Sequence, residues 1–590
     1  MYNQKYAIYQ VFTRLFGNKN TQHVPWGTIE QNGVGKFSDF TDKALSEIRK
    51  LGMTHIWYTG VPHHAIINDY KHIGISDDHP SVVKGRAGSP YAVKDYYSVN
   101  PDLADNPEHG QEEFEALIKR SHDNGLKVII DIVPNHVARH YKGLNNPEGV
   151  SDFGAQDDTT LEYHRDNNFY YIPNSTFELP DIKPAFTPLG GEQHPSLSSP
   201  FIETPAKWTG NGSRLAKPNF DDWYETVKIN YGVRPDGSKD FPVLPKDYAQ
   251  RDYREHHQFW ESVAVPSSWI KFRDIALFWL DKGVNGLRYD MVEMVPVEFW
   301  SYLNSSIKMK NQDAFLMAEV YQPDLYREYI HLGKMDYLYD KVDLYDGLKA
   351  IMQGKASTAI IPEIQHQMMD IEHHMLHFLD NHDEQRIASP EFVGNPHVAK
   401  PAMLVSALLS SSPTMIYFGQ EVGEPGAENA GFGQPSRTSI FDYIGVPQHQ
   451  KWMNNGAFDG ELLTNKEKQL RHFYQKVMNF SLEHSSMTGD YQDLHQCSNL
   501  SDSVYAFLRY DHQELTIVAA NFSQHTTESI HLEISHDVIQ KLKLVDGRYI
   551  LNEHIEGIAQ QVLDIENSVG NFNIELKPLA SLVWVLSFNG

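Results

Sequence analysis

Cysteine is almost absent. Cys497 is the only one in 590 residues, so no intrachain disulfide and no thiolate metal cluster can form. Long apolar runs are missing too: no stretch of about 18 apolar residues occurs, which argues against a membrane-spanning helix. Nothing near Met1 combines a basic start, an apolar stretch and a small-residue cleavage site. The chain is therefore expected in the cytoplasm, or in the periplasm or outside the cell if an export signal has been removed. Positive charge is scarce. There are 51 Lys and Arg against 77 Asp and Glu, and the net charge of −26 repels phosphate backbones and anionic lipid over most of the surface. Nucleic acid is not an expected partner. Aromatic side chains are plentiful, with 31 Tyr, 29 Phe and 10 Trp in a chain that is 41% hydrophobic. That composition excludes disorder and suits a neutral, ring-shaped ligand such as a sugar.

Short apolar runs alternate with helical segments. Strands are predicted at 6–12, 55–61, 127–133, 286–292, 315–320, 336–340, 375–381 and 414–421, and helices at 39–51, 112–124, 267–281, 297–309, 346–352, 398–410 and 466–482. KVIIDIVPNH (127–136) opens with the continuous apolar run that a parallel strand buried on both faces requires. Eight alternating units predict an α/β protein built on a closed (β/α)8 TIM barrel rather than an open sheet. From Val137 to about Pro266, proline, asparagine, glycine and aromatic residues follow no period, over a length too great for a plain loop. This stretch is predicted to be a domain inserted after the third strand. Beyond the last helix, VYAFLRY, LTIVAANF, ILNEHI, NIELKPL and SLVWVLSF read as strands without intervening helices, which predicts a C-terminal antiparallel β-sandwich. The expected division is a barrel (domain A) at 1–136 and 266–484, an inserted domain B at 137–265 and a sandwich (domain C) at 485–590.

In such barrels the reacting groups sit at the carboxyl ends of the strands. The third predicted strand leads to Asp131 and Asn135-His136, the fourth to Arg288 and Asp290, the fifth to Glu319 and the seventh to Asn381-His382-Asp383. Asp131 lies mid-strand and reads as structural. Arg288 and Asp290 share a strand face and could form a plain ion pair. Taken together, however, carboxylates at several strand ends point to glycoside hydrolysis, in which one carboxyl protonates the leaving oxygen and another attacks the anomeric carbon or activates water. On this reading Asp290, held ionised by Arg288, suits the nucleophile and Glu319 the acid/base.

DIVPNH (131–136), GLRYDMVEM (286–294), AEVYQ (318–322) and FLDNHDEQR (378–386) resemble, in order and approximate spacing, the four signature regions of glycoside hydrolase family 13, the α-amylase family. The resemblance implies a retaining mechanism on α-1,4 links of starch, glycogen or maltooligosaccharides, with Asp290 forming the covalent glycosyl intermediate, Glu319 acting as acid then base, and Asp383 binding sugar hydroxyls. It also implies that His136, Arg288 and His382 hydrogen-bond the sugar and that Tyr91, in GSPYAVKDYYSV, stacks on it. Arg386 and His64 are further candidates, with a structural reading equally open. An α-glucosidase or glucanotransferase of the same family is the alternative. A noncatalytic barrel would have lost the carboxylates present here. Similar secreted and periplasmic proteins incline the expected compartment towards export.

The departures from the pattern bear on specificity. Many family members carry Lys-His three and four residues after the nucleophile, where this chain has Glu293 and Met294, and the fifth motif, often QPDLN, is matched at best by VKINYG (227–232). The chain begins at the first barrel strand, without the N-terminal β-domain of neopullulanases and cyclomaltodextrinases, which turns the expectation away from those enzymes. Asn135 resembles the family's calcium ligand, so a structural calcium ion is the one cofactor to be expected. Zinc is not: His373 and His377 are four apart, but no Glu follows the first of them.

Overall fold

The computed structural model describes residues 4–558 and 560–588, apart from the side chains of Gln496 and Cys497. Eight parallel strands close into a barrel: β1 (Ala7–Phe12), β2 (His55–Thr59), β3 (Lys127–Ile132), β4 (Gly286–Tyr289), β5 (Phe315–Ala318), β6 (Tyr337–Tyr339), β7 (Met375–Phe378) and β8 (Thr414–Tyr417). Each neighbours the next in sequence, and β8 closes on β1 through pairs such as Ala7 with Thr414. All eight fall inside the runs predicted from sequence. The reason is visible in β3, where every residue after Lys127 is buried, so the strand can tolerate only apolar side chains and the few polar ones that find partners inside.

The helices begin and end where caps dictate. Asp42–Lys50 starts later than the predicted 39, because the Thr41 side chain accepts from the Ala44 amide and fixes the first turn there. At Asn465–Glu483 the Thr464 and Glu467 side chains form a reciprocal capping box. Between β3 and β4 the chain makes only short ladders, His136–Ala138 against Thr226–Lys228 and Tyr171–Ile172 against Ala206–Lys207. The helix Tyr253–Glu261 falls within the stretch read from sequence as insertion, yet it packs on the barrel helix Val297–Lys310. His256 Nδ1 and Trp260 Nε1 both meet Ser301 Oγ, at 2.7 and 2.8 Å.

The C-terminal region is an eight-stranded antiparallel sheet with its own core, in which Leu508, Ile517 and Trp584 pack with Leu532, Leu563 and Phe572. Three of its strands, Asp490–Asp493, Glu528–Ile534 and Gln561–Glu566, were not legible as apolar runs. Glu528–Ile534 shows why: its outward residues are Ser529, His531 and Glu533, and its inner face opens with Glu528, so only part of one face is apolar. Among the described residues no helix is long and apolar enough to cross a membrane.

Candidate active site

Tyr289 on β4 pairs with Ala318 on β5, so the next residue of each strand, Asp290 and Glu319, stand side by side where the sheet ends. Their amides still continue the ladder, Asp290 donating to Ile132 O and Glu319 to Tyr289 O, each at 3.1 Å. Arg288, on the same face as Asp290, clamps the pair. Its NH1 donates to Asp290 Oδ1 at 2.7 Å, and its NH2 lies 3.2 Å from Glu319 Oε2, an ion-pair contact without hydrogen-bond alignment. NH1 also sits 3.5 Å from Asp131 Oδ1, the register partner of Arg288 on β3. Asp131 in turn accepts from Trp57 Nε1 at 2.9 Å, which makes it a barrel-interior anchor.

The third carboxylate follows β7. His382 Nε2 is 3.0 Å from Asp383 Oδ2 and 2.5 Å from the Tyr91 hydroxyl, while Nδ1 meets the Gln10 amide nitrogen at 2.8 Å. The Tyr91 ring stacks on the His382 ring with centroids 5.2 Å apart. The Asn381 side chain receives the amides of Asp383 and Glu384, which fixes the turn.

These contacts set the charge of the site. Burial, and after it the charge of Glu319, pushes Asp290 well above the ordinary carboxylate range, and Arg288 only partly offsets them. The expectation that Arg288 simply holds Asp290 ionised is thus corrected. Asp290 therefore keeps its proton to higher pH than a free carboxyl would. Asp383 goes the other way: burial raises it, but the His382 imidazole and the Arg288 and Arg437 guanidinium groups outweigh that and hold it at about 2. Its side chain remains 39% exposed, opening onto a cavity rather than onto bulk solvent.

That cavity has a volume of 290 Å³ and is lined by Tyr91, His136, Asp290, Glu319 and Asp383 among the expected residues. Burial, then the charges of Lys228 and Lys84, holds His136 at about 3, so its imidazole is neutral. Its Nδ1 accepts from Asn135 Nδ2 at 2.9 Å, which puts the ring proton on Nε2. Arg288 and His382 are buried behind this floor, where they hold the carboxylates. His64 lies outside the lining, its Nε2 bonded to Ala87 O at 3.0 Å. Arg386 is buried in a structural ion pair with Asp380 at 3.3 Å and also donates to Thr438 Oγ1 and Phe418 O.

Sequence reasoning missed the rest of the lining, Lys84, Trp223, Glu225, Tyr321 and Phe441 among it. Tyr321 alone carried a signal, being two residues past Glu319. Its hydroxyl donates to Glu319 Oε1 at 2.5 Å and stays protonated, because burial and the charges of Glu319 and Asp383 push it up. A donor of this kind favours the charged carboxylate. In Tyr321→Phe, which removes this donor, the alkaline limb of the rate profile is expected to move up by about half a unit to one unit. A pH series of kcat/KM checks this.

Asn135 does not fit a calcium ion. The Lys228 ammonium donates to its Oδ1, and its Nδ2 donates to Gly210 O at 2.9 Å. Calcium takes six to eight oxygen ligands, and here the one side-chain oxygen faces a cation. Among the described residues no group of three or more His, Cys, Asp or Glu is placed to hold a metal ion.

A model of the alpha amylase catalytic domain matches residues 10–180 and 255–478. A cyclomaltodextrinase from a Bacillus species is 20% identical over 549 residues, covering 87% of this chain and 72% of its own. Alpha-amylase 3 of Dictyoglomus thermophilum is 20% identical over 588 residues, covering 92% and 91%. Among solved structures, an alpha-amylase from Geobacillus thermoleovorans complexed with acarbose covers 100% of this chain and 99% of its own, at a TM-score of 0.59 and 18% identity, a likeness of fold.

Proposed function

The chain belongs to the α-amylase family, glycoside hydrolase family 13, and is a glycoside hydrolase of α-glucans; we propose that it cleaves α-1,4 links of maltooligosaccharides with retention, through a glycosyl-Asp290 intermediate. The observation that carries this reading is one guanidinium, that of Arg288, spanning both Asp290 and Glu319 beside the sugar-sized cavity. Oδ1 of Asp290 is held by Arg288, so Oδ2 attacks the anomeric carbon. Oε2 of Glu319 faces only donors, Met291 N at 3.1 Å and Arg288, so the transferable proton belongs on Oε1, where the Tyr321 hydroxyl can turn to accept. The bond from the anomeric carbon to the leaving oxygen breaks as that oxygen takes the proton. Water then attacks the same carbon, returns a proton to Glu319 and frees Asp290.

A specific observation favours the α-glucosidase-like alternative, action from one chain end. Phe186 of the inserted segment packs edge-on against Phe432 of the loop after β8, with centroids 5.2 Å apart. Phe432 continues to Phe441, which lines the cavity, and to Trp26 of the loop after β1. A 2.5 Å ion pair between Lys84 and Glu225 closes the same wall. The cavity, at the low end of the range for ligand pockets, is thereby bounded on one side, which favours a chain terminus over a continuous strand. With maltoheptaose, one short product size is expected from the first time points, and Phe432→Ala should broaden the distribution. A full ladder from the native protein would refute end action, and products longer than maltoheptaose would indicate transfer.

A further inference from the structure

VKINYG is at best a poor counterpart of the family's fifth region, yet its lysine stands at a junction of three segments. Thr226–Lys228 pairs antiparallel with His136–Ala138, with Lys228 opposite His136. From there the ammonium reaches two oxygens, Asn135 Oδ1 at the end of the third barrel unit and Met294 O at 3.0 Å in the turn after β4. Met291, in the same turn, donates its amide to Glu319. One side chain thus joins the inserted segment, the β3 exit and the loop that follows Asp290.

The bond to Asn135 has a further consequence. An ammonium has only donors to offer, so it selects the orientation of the Asn135 amide with oxygen towards Lys228. The amide nitrogen is then turned to Gly210 O and to His136 Nδ1, and the latter contact fixes the tautomer that carries its proton on Nε2. Ile229 N, next along the strand, donates to Asn135 O at 3.1 Å and holds the backbone in the same register.

We propose that Lys228 is a positioning residue that fills, with its own ammonium, the place a divalent cation would take at Asn135, so that the inserted segment is locked to the barrel without a bound ion. The lock is covalently part of the chain, and chelation cannot remove it. It acts on the reaction through Asn135 and His136 rather than by touching the sugar.

The test uses the full chain in three arms. Exhaustive chelation, followed by addition of calcium, is expected to leave the native melting temperature unchanged in both steps. A melting temperature that falls on chelation and returns with calcium would overturn the proposal, whether or not maltoheptaose is a substrate, so this arm stands apart from the proposed activity. In Lys228→Met, which keeps the stem and removes the donor, kcat on maltoheptaose is expected to fall about tenfold, with Lys228→Arg recovering part of the loss; an unchanged kcat in the methionine variant would also overturn it. Lys228→Asp supplies oxygen where the ammonium stood, and its melting temperature is expected to rise with added calcium. A folded aspartate variant indifferent to calcium would show that the place is not a cation's.

Discussion

Asp290→Asn is expected to lower kcat on maltoheptaose by about 10,000-fold or more while the melting temperature holds or rises. The amide keeps the shape of the carboxylate and can still accept from Arg288, but it cannot form the acyl-type glycosyl bond. Stability need not suffer, because Asp290 is an unfavourable charge where it stands: burial and the neighbouring Glu319 both oppose its ionisation. Removing that charge relieves the repulsion within the pair and leaves Arg288 paired with Glu319 and Asp131. Calorimetry beside steady-state kinetics checks both halves. Near-normal turnover in this variant would sink the mechanism, and a collapse in melting temperature would mean that the Arg288–Asp290 contact holds the barrel mouth together.

Glu319→Gln is expected to cost about 1,000-fold or more in kcat with maltoheptaose, and the loss should depend on the leaving group. The glycosidic oxygen of an oligosaccharide needs a proton as it departs, and general-acid assistance supplies a large share of the rate. A glucosyl fluoride needs no such proton, so its first step should survive in the variant. The second step needs a base to activate water, so the intermediate on Asp290 should accumulate. A small anionic nucleophile that requires no base should then restore turnover. Equal losses on both substrates, with no rescue, would remove Glu319 from the acid/base role. Burial and the charge of Glu319 raise Asp290 above the ordinary carboxylate range, and that sets the acid limb of the pH dependence. The nucleophile must be ionised, so activity is expected to fall in acid as Asp290 is protonated, from a higher pH than an ordinary carboxylate would give, which a pH series of kcat/KM checks.

Much of this site is written in short stretches of sequence. Asp290 and Glu319 each end an apolar run, and because β4 and β5 are adjacent parallel strands, two residues that end their runs at the same rung become neighbours without further instruction. Arg288 and Asp290 share a face by the two-residue repeat alone. Tyr91 lay outside any strand predicted from apolar runs, and only the family resemblance singled it out. Arg386 had an open alternative, and the tertiary structure decided it: Asp380, six residues away, faces it in the interior.

The barrel and its carboxylates were determined by the sequence, since a buried parallel strand demands a continuous apolar run and a polar residue at its end is conspicuous against it. The closing wall was decided only by tertiary structure. Phe186 and Phe432 are far apart in the chain, and so are Lys84 and Glu225, so no local period records either contact. The same holds for Lys228. Read in sequence it is a lysine in a poor match to a motif; folded, it meets Asn135, 93 residues earlier, and Met294, 66 residues later. An aperiodic segment gains its meaning from what it is folded against, and no local pattern in the chain records those contacts.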